Sequence, residues 1–158
     1  MNAAEDALDV KRAELSSGDV LELIAELDAE LIEIYPEEGA THFRLESDEV
    51  SETRGAFLVA SLGGTAVGCG AVRLIDSETA EIKRMYTSAK MRGRGIARRI
   101  LDELEAHARK LGAKRIVLET GERQPYALAL YGRAGFVRIP LFGEYIGSPL
   151  SVCMGKTL

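Results

Sequence analysis

The chain has 158 residues, 46% hydrophobic and 28% charged with a net charge of −5, which predicts one globular domain over 1–158 and excludes a disordered chain. Its two cysteines have no CxxC spacing and it has only two histidines, so no disulfide scaffold and no metal site are expected. The acidic amino terminus lacks a basic start followed by an apolar run, which predicts a cytoplasmic protein without a secretory signal or membrane segment.

The first fifty residues predict one strand and one amphipathic helix. Residues 10–13 form a candidate strand, and Ser16 or Ser17 can cap the helix that follows. The apolar side chains of that helix recur at helical spacing, at Val20, Leu23, Ile24, Leu27, Leu31 and Ile34. Pro36 ends the helix because proline cannot continue the backbone hydrogen bonds. Residues 37–54 are acidic and weakly periodic, which predicts a loop with a short helix.

Three strands are predicted next. Residues 56–61 and 66–75 are apolar runs on either side of the Gly63-Gly64 pair, and this arrangement indicates a β-hairpin. Residues 80–87 predict the strand that follows the hairpin.

Helices and short strands alternate in the second half of the chain. A helical repeat begins at Ile96 and ends before Gly112, which is typical of a helix C-terminus. Residues 115–119 predict a strand and residues 125–134 a helix. Two final strands are predicted at 136–139 and 150–154. Because 80–119 has the order strand–helix–strand, its two strands should be parallel within a mixed α/β sheet that carries helices on its faces.

The segment 92–97, Arg-Gly-Arg-Gly-Ile-Ala, lies between a predicted strand and a long helix. Its glycines allow a tight turn, and the first N–H groups of the helix favour an anion such as pyrophosphate. It is no P-loop, and the Rossmann fingerprint fails because the sixth position of the pattern from Gly93 is Arg98. The stretch from Lys83 to Arg99 has basic side chains and no acid, which favours a phosphorylated ligand or polyanion over a solvated helix face.

Two motifs in this context resemble a known family. Arg92, Gly95 and Ala97 match the pattern [Gln/Arg]-x-x-Gly-x-[Gly/Ala], and residues 127–136 match A-x-x-L-Y-x-x-x-G-F. Both patterns, together with the order of elements over roughly 8–158, are similar to the GNAT N-acetyltransferase superfamily.

The resemblance implies a fold and a co-substrate. The fold is a mixed, mostly antiparallel α/β sheet of about six or seven strands with about four helices, in which the two parallel strands splay apart. The co-substrate is acetyl-CoA, with its pyrophosphate on backbone N–H groups of 93–97 and its pantetheine arm along the backbone of Met85 and Thr87. The implied cofactor-binding residues are Met85, Tyr86, Thr87, Arg92, Gly93, Arg94, Gly95, Ile96 and Ala97.

Tyr131 and Glu81 are the candidate catalytic residues. The resemblance places Tyr131 near the sulfur as a general acid, and the alternative is that its ring only packs. Glu81 occupies the strand position at which the histone-modifying branch of the family has its general-base glutamate. The alternatives are a surface carboxylate paired with Lys83 or Arg84, or a base that acts through water. An N–H group of strand 80–87 is implied to polarise the thioester carbonyl.

The favoured function is acetyl transfer from acetyl-CoA to a primary amine of a small molecule, amino acid or peptide, by direct attack on the thioester. The alternatives are a non-catalytic acyl-CoA sensor and a nucleic-acid binder that uses 83–99. A sequence pI of about 5.2 disfavours the nucleic-acid binder, so neither nucleic acid nor a membrane is expected as partner. The acceptor depends on 36–54 and 140–149, within which 142–145 is placed on the acceptor side. Homodimers are frequent in the family, which leaves a homodimer open.

Overall fold

The computed structural model describes residues 7–37 and 45–158. In these residues one seven-stranded sheet is flanked by three α-helices. The strands are β1 (Leu8–Arg12), β2 (Gly55–Leu62), β3 (Thr65–Leu74), β4 (Thr79–Thr87), β5 (Arg115–Gly121), β6 (Val137–Ile139) and β7 (Ser151–Thr157). The helices are α1 (Gly18–Ile34), α2 (Ile96–Lys110) and α3 (Pro125–Arg133).

The sheet has the order β1-β2-β3-β4-β5-β7-β6. The β4–β5 pair is parallel, whereas the other five neighbouring pairs are antiparallel. The predicted strand–helix–strand unit and the mixed, mostly antiparallel α/β sheet are therefore confirmed, because α2 carries the chain from β4 across to β5.

Both faces of the sheet are covered. Along β2 the side chains alternate, so that Leu58 belongs to a core cluster with α2 and α3, and Phe57 belongs to a second cluster with α1. This explains why the strand is apolar throughout instead of alternating with polar residues. On β3, a Cβ added at Gly70 would lie 2.9 Å from the Leu104 side chain of α2, so glycine there lets α2 approach the sheet.

Most predicted element boundaries agree with the structure. Ser17 caps α1 by accepting a hydrogen bond from the N–H of Val20 at 3.4 Å, and Gly112 follows α2 with a φ of 90°. The helix count is lower than the implied four: in the described part of 37–54, the predicted short helix is one 3₁₀ turn at Ser47–Val50. The last strand begins one residue later and ends three residues later than predicted, because its pairing with β5 continues to Thr157.

Candidate active site

A cleft opens where β4 and β5 separate. Their parallel pairing runs from Thr79 and Arg115 to Ile82 and Leu118 and ends there. The implied splaying of the two strands is thus present. The cleft has a volume of about 110 Å³. Its walls come from α1, β4, β5, α3 and the loop before β7, and are formed by Leu27, Leu31, Ile82, Lys83, Arg84, Met85, Leu118, Glu119, Thr120, Gln124, Ala127, Tyr131 and Tyr145.

A β-bulge shapes the β4 wall of this cleft. The register with β3 shifts between Cys69 and Ala71, so that Arg84 and Met85 together oppose the single residue Gly70. Arg84 has a φ of 59°, the only positive value of a non-glycine residue in the described chain. Such strained backbone clusters at functional sites. The buried Cys69 thiol donates a hydrogen bond to the Arg84 carbonyl at 3.3 Å, which supports a structural role for this cysteine.

The glycine turn at 92–97 lies directly before α2. Gly93 and Gly95 have φ values of 81° and 79°, and a Cβ at either position would meet open space. Gly95 is the N-cap of α2, and no side chain caps this helix end. The first N–H groups of α2 are therefore available to an anionic ligand, together with the positive end of the helix dipole. Ile96 is buried in the core and anchors the turn.

The basic segment is largely neutralised by carboxylates. Five of its seven cationic side chains lie within 4.0 Å of a carboxylate oxygen, in the pairs Lys83–Glu144, Arg84–Asp28, Arg92–Glu30, Arg98–Asp102 and Arg99–Glu103. Arg92 also donates from Nε to the Thr87 carbonyl at 3.0 Å and lies 5.7 Å from the Tyr86 ring centre. Arg92 therefore links the turn to Thr87 of β4 and to Glu30 of α1. These internal pairs disfavour a continuous polyanion-binding surface.

Tyr131 lines the cleft from α3 and is 6% exposed. Its ring packs edge-on against Phe136 with centroids 5.8 Å apart. Burial, and secondarily the charge of Glu119, raises the pKa of Tyr131 above the usual value of a phenol. The raised pKa keeps the hydroxyl protonated at neutral pH, so that it is available as a proton donor.

Glu81 is not the surface carboxylate of the alternative interpretation. It is 1% exposed, and its hydrogen bonds are to Arg73 and Tyr145. Arg73 donates to Glu81 Oε1 from Nε at 3.0 Å and from Nη2 at 2.8 Å. The hydroxyl of Tyr145 donates to Glu81 Oε2 at 2.9 Å.

Residues at the end of β5 and at the start of α3 differ in their access to the cleft. Glu119 and Thr120 line the cleft, as their position at the end of β5 suggests. In contrast, Tyr126 is 90% exposed and does not line it. The sequence did not identify Leu27 and Leu31 of α1 as residues that line the cleft. Their helical spacing predicts that they are buried, but it does not predict a cleft wall.

Comparisons with known proteins identify the family. A family model described as "Acetyltransferase (GNAT) family" matches residues 20–136. The chain belongs to this family. The predicted family, fold class and enzyme class, an acetyltransferase, are therefore confirmed.

Relatives agree with this assignment. An IAA acetyltransferase of Azospirillum brasilense is 42% identical to this GNAT protein over 141 residues, which cover 88% of this chain and 90% of the relative. An uncharacterized N-acetyltransferase, YsnE, of Bacillus subtilis is 38% identical over 98 residues, covering 61% and 65% of the two chains.

Solved structures share the fold of this GNAT protein. The crystal structure of a Klebsiella pneumoniae protein described as an acyl-CoA N-acyltransferase has a TM-score of 0.81 and 32% identity, covering 96% of this chain and 97% of that one. A GNAT acetyltransferase of Elizabethkingia anophelis with acetyl-CoA bound has a TM-score of 0.69 and 20% identity, covering 97% and 99% of the two chains. The family assignment supports acetyl-CoA, the co-substrate predicted for the present chain.

Two structural features are absent from the described residues. Residues 7–37 and 45–158 contain no group of three or more histidine, cysteine, aspartate or glutamate side chains arranged to hold a metal ion. In the same part of the chain, no helix has the length and apolar character needed to cross a bilayer.

Proposed function

We propose that this protein transfers an acetyl group from acetyl-CoA to a primary amine by direct attack of the amine on the thioester. The observation that carries the proposal is the cleft between β4 and β5, which begins where their pairing ends at Ile82 and Leu118. Beyond the cleft, β4 continues into the turn that leads to an uncapped helix N-terminus, and the buried Tyr131 lines the cleft. A helix end suited to phosphate, an open strand edge and a proton donor are the features that acetyl transfer from acetyl-CoA would use.

The donor would be held mainly by backbone. The N–H groups of Gly93 to Ala97 suit a pyrophosphate, because the turn is open and no side chain caps α2. Met85 to Thr87 continue β4 beyond its pairing with β5, which leaves this edge for the pantetheine arm. Arg94 is an exposed residue of the turn itself and adds positive charge.

The chemistry assigned to the cleft is an acyl transfer. The amine nitrogen forms a bond to the thioester carbonyl carbon, the carbon–sulfur bond breaks, and the amine loses one proton. A backbone N–H of the bulged β4 segment at Arg84–Met85 would stabilise the charge that develops on the carbonyl oxygen. Tyr131 would donate its hydroxyl hydrogen towards the departing sulfur. Burial beside Tyr131 would also raise the pKa of a departing thiol, because burial disfavours the charged form of either group.

The acceptor is proposed to be a small amine, an amino acid or a peptide amine. The small cleft, about 110 Å³, favours a slender acceptor group. An amino-acid acetyltransferase of Mycobacterium tuberculosis, 36% identical over 78 residues covering 49% of this chain, supports the amino-acid class. The two free, buried cysteines are compatible with a cytoplasmic location.

An amine panel tests the proposal. The purified protein is mixed with acetyl-CoA and amino acids, alkylamines, polyamines or lysine peptides, and the released thiol is measured. Acetylation of at least one amine above the rate without protein supports the enzyme. Binding of acetyl-CoA without turnover on any amine would indicate an acyl-CoA sensor instead.

A further inference from the structure

Glu81, the candidate general base, is separated from the cleft by another residue. Glu81 is on β4 but does not line the cleft, and only 1% of its surface is exposed. Tyr145, from the 3₁₀ turn Gly143–Tyr145 before β7, does line the cleft and is hydrogen-bonded to Glu81 at 2.9 Å. Any acceptor in the cleft would therefore meet the Tyr145 side chain before the Glu81 carboxylate.

The two oxygens of Glu81 have separate partners. Arg73 of β3 occupies Oε1 through two nitrogens, and Arg73 is also paired with Glu49 of the 3₁₀ turn Ser47–Val50. Oε2 accepts the Tyr145 hydroxyl. The arginine contacts hold the carboxylate in place, so that Oε2 faces a fixed donor in the direction of the cleft.

Other charged groups surround this pair. Lys83 lies beside it on β4, 3.5 Å from Glu144, and Glu119 approaches from β5. Burial, then the charge and hydrogen bond of Glu81, and then Glu144 and Glu119 raise the pKa of Tyr145. A free phenolate is therefore strongly disfavoured, so Tyr145 can give up its proton only if it gains another at the same time.

We propose that Tyr145 contacts the acceptor amine and relays its proton to Glu81. As the amine nitrogen bonds to the thioester carbon, its proton moves to the Tyr145 oxygen while the Tyr145 proton moves to Glu81 Oε2. The phenol remains neutral throughout, Glu81 ends protonated, and water later removes that proton. The inference rests on the proposed acetyl transfer and assigns Tyr145 as a catalytic residue of the same cleft.

The chain offers a conservative variant for each partner. Tyr145→Phe keeps the edge-on ring contact with Phe142, whose centroid lies 5.3 Å away, and removes only the hydroxyl. Glu81→Gln keeps the shape and a carbonyl oxygen for Arg73, which still has Glu49 as a second partner. Tyr126→Phe is the matched control, because Tyr126 is 90% exposed and lies outside the cleft.

The experiment is a double-mutant cycle on kcat/KM for the amine that the wild type acetylates fastest in the panel. Tyr145→Phe and Glu81→Gln should each lower kcat/KM on the order of 10²-fold, the usual contribution of a positioned proton acceptor. The double variant should lose about as much as either single variant, because both changes break one relay. Affinity for acetyl-CoA should stay within about twofold of the wild type in all of them, and Tyr126→Phe should behave as the wild type.

The pH profile separates a relay from a structural contact. Glu81 must be ionised to accept a proton, so the wild-type kcat/KM should fall at low pH by more than amine protonation alone requires. That additional loss should disappear in Tyr145→Phe. A purely structural role would lower the melting temperature or raise the dissociation constant of acetyl-CoA and would leave the shape of the profile unchanged.

The outcomes distinguish a failure of the relay from a failure of the acetyltransferase proposal. An active wild type with a fully active Tyr145→Phe variant, or with multiplicative losses in the double variant, overturns the relay and leaves the acetyltransferase proposal intact. A wild type that acetylates no amine overturns both. If Glu81→Gln does not fold, the pH profile of Tyr145→Phe decides alone.

Discussion

The two ends of the cleft are built in different ways. The proposed donor end, residues 85–97, is one continuous piece of chain that presents backbone groups: a bulged strand, a turn with two left-handed glycines and an uncapped helix. The acceptor end, defined by Glu81 and Tyr145, consists of side chains 64 positions apart that meet through a hydrogen bond. Changes at the donor end should therefore alter co-substrate affinity, whereas changes at the acceptor end and at Tyr131 should alter turnover.

Gly95→Asp should have the largest effect. It would place a carboxylate at the site of the phosphates, and bringing like charges together costs several kcal/mol, which lowers CoA affinity on the order of 10²-fold or more. Calorimetric titration with CoA measures the loss. Gly64→Asp is the control, because Gly64 has a φ of 81°, nearly that of Gly95, and equally open surroundings in the β2–β3 turn. If both variants bind CoA with equal affinity, the phosphates bind at another place on the protein.

Tyr131→Phe should lower kcat on the order of 10²-fold and leave CoA affinity unchanged, since it keeps the buried ring and removes the proton donor. Because the pKa of Tyr131 is raised, the donor form persists as the pH increases, and the wild type should lose no rate through this phenol up to about pH 10. Steady-state kinetics over pH tests both statements. A near-normal kcat, with chemistry rate-limiting, would reduce Tyr131 to a packing residue.

CoA should stabilise the folded protein more than ATP or NAD does. A ligand at 100 times its dissociation constant adds about 2.7 kcal/mol to the free energy of unfolding. For a chain of this size that corresponds to a melting temperature higher by roughly 5–10 °C. Thermal melts with each nucleotide give the comparison, and Gly95→Asp should abolish the shift. A melting temperature that does not change at millimolar CoA would contradict the assignment of the donor end.

Arg94→Gln should have the smallest effect. Its exposed side chain can add only a screened attraction to the phosphates, of about 0–1 kcal/mol, so CoA affinity should fall a few-fold and the difference should shrink at high salt. Arg109→Gln, at the opposite end of α2, should leave affinity unchanged. A loss on the order of 10²-fold for Arg94→Gln would show that charge, not the backbone turn, dominates donor binding.

The donor end could be predicted because its information is local. A glycine pattern, the apolar repeat from Ile96 and the order of elements are short-range features, and each corresponds to a backbone conformation that the structure contains. The same holds for the core, where strand and helix periodicity predicted which faces are buried. The positive φ of Arg84 has no comparable signal, since this residue type rarely adopts it.

The sequence by itself determined the elements, the mixed sheet and the glycine turn before α2, because local backbone preferences and side-chain periodicity depend on residues close together in the chain. Only the tertiary structure decided that Glu81 is buried against Arg73 and that Tyr145 stands between it and the cleft. The partner of a buried carboxylate depends on which distant segments the sheet order brings together. Here β4 lies beside β3, which carries Arg73, and the loop before β7 brings the Tyr145 hydroxyl to Glu81 of β4.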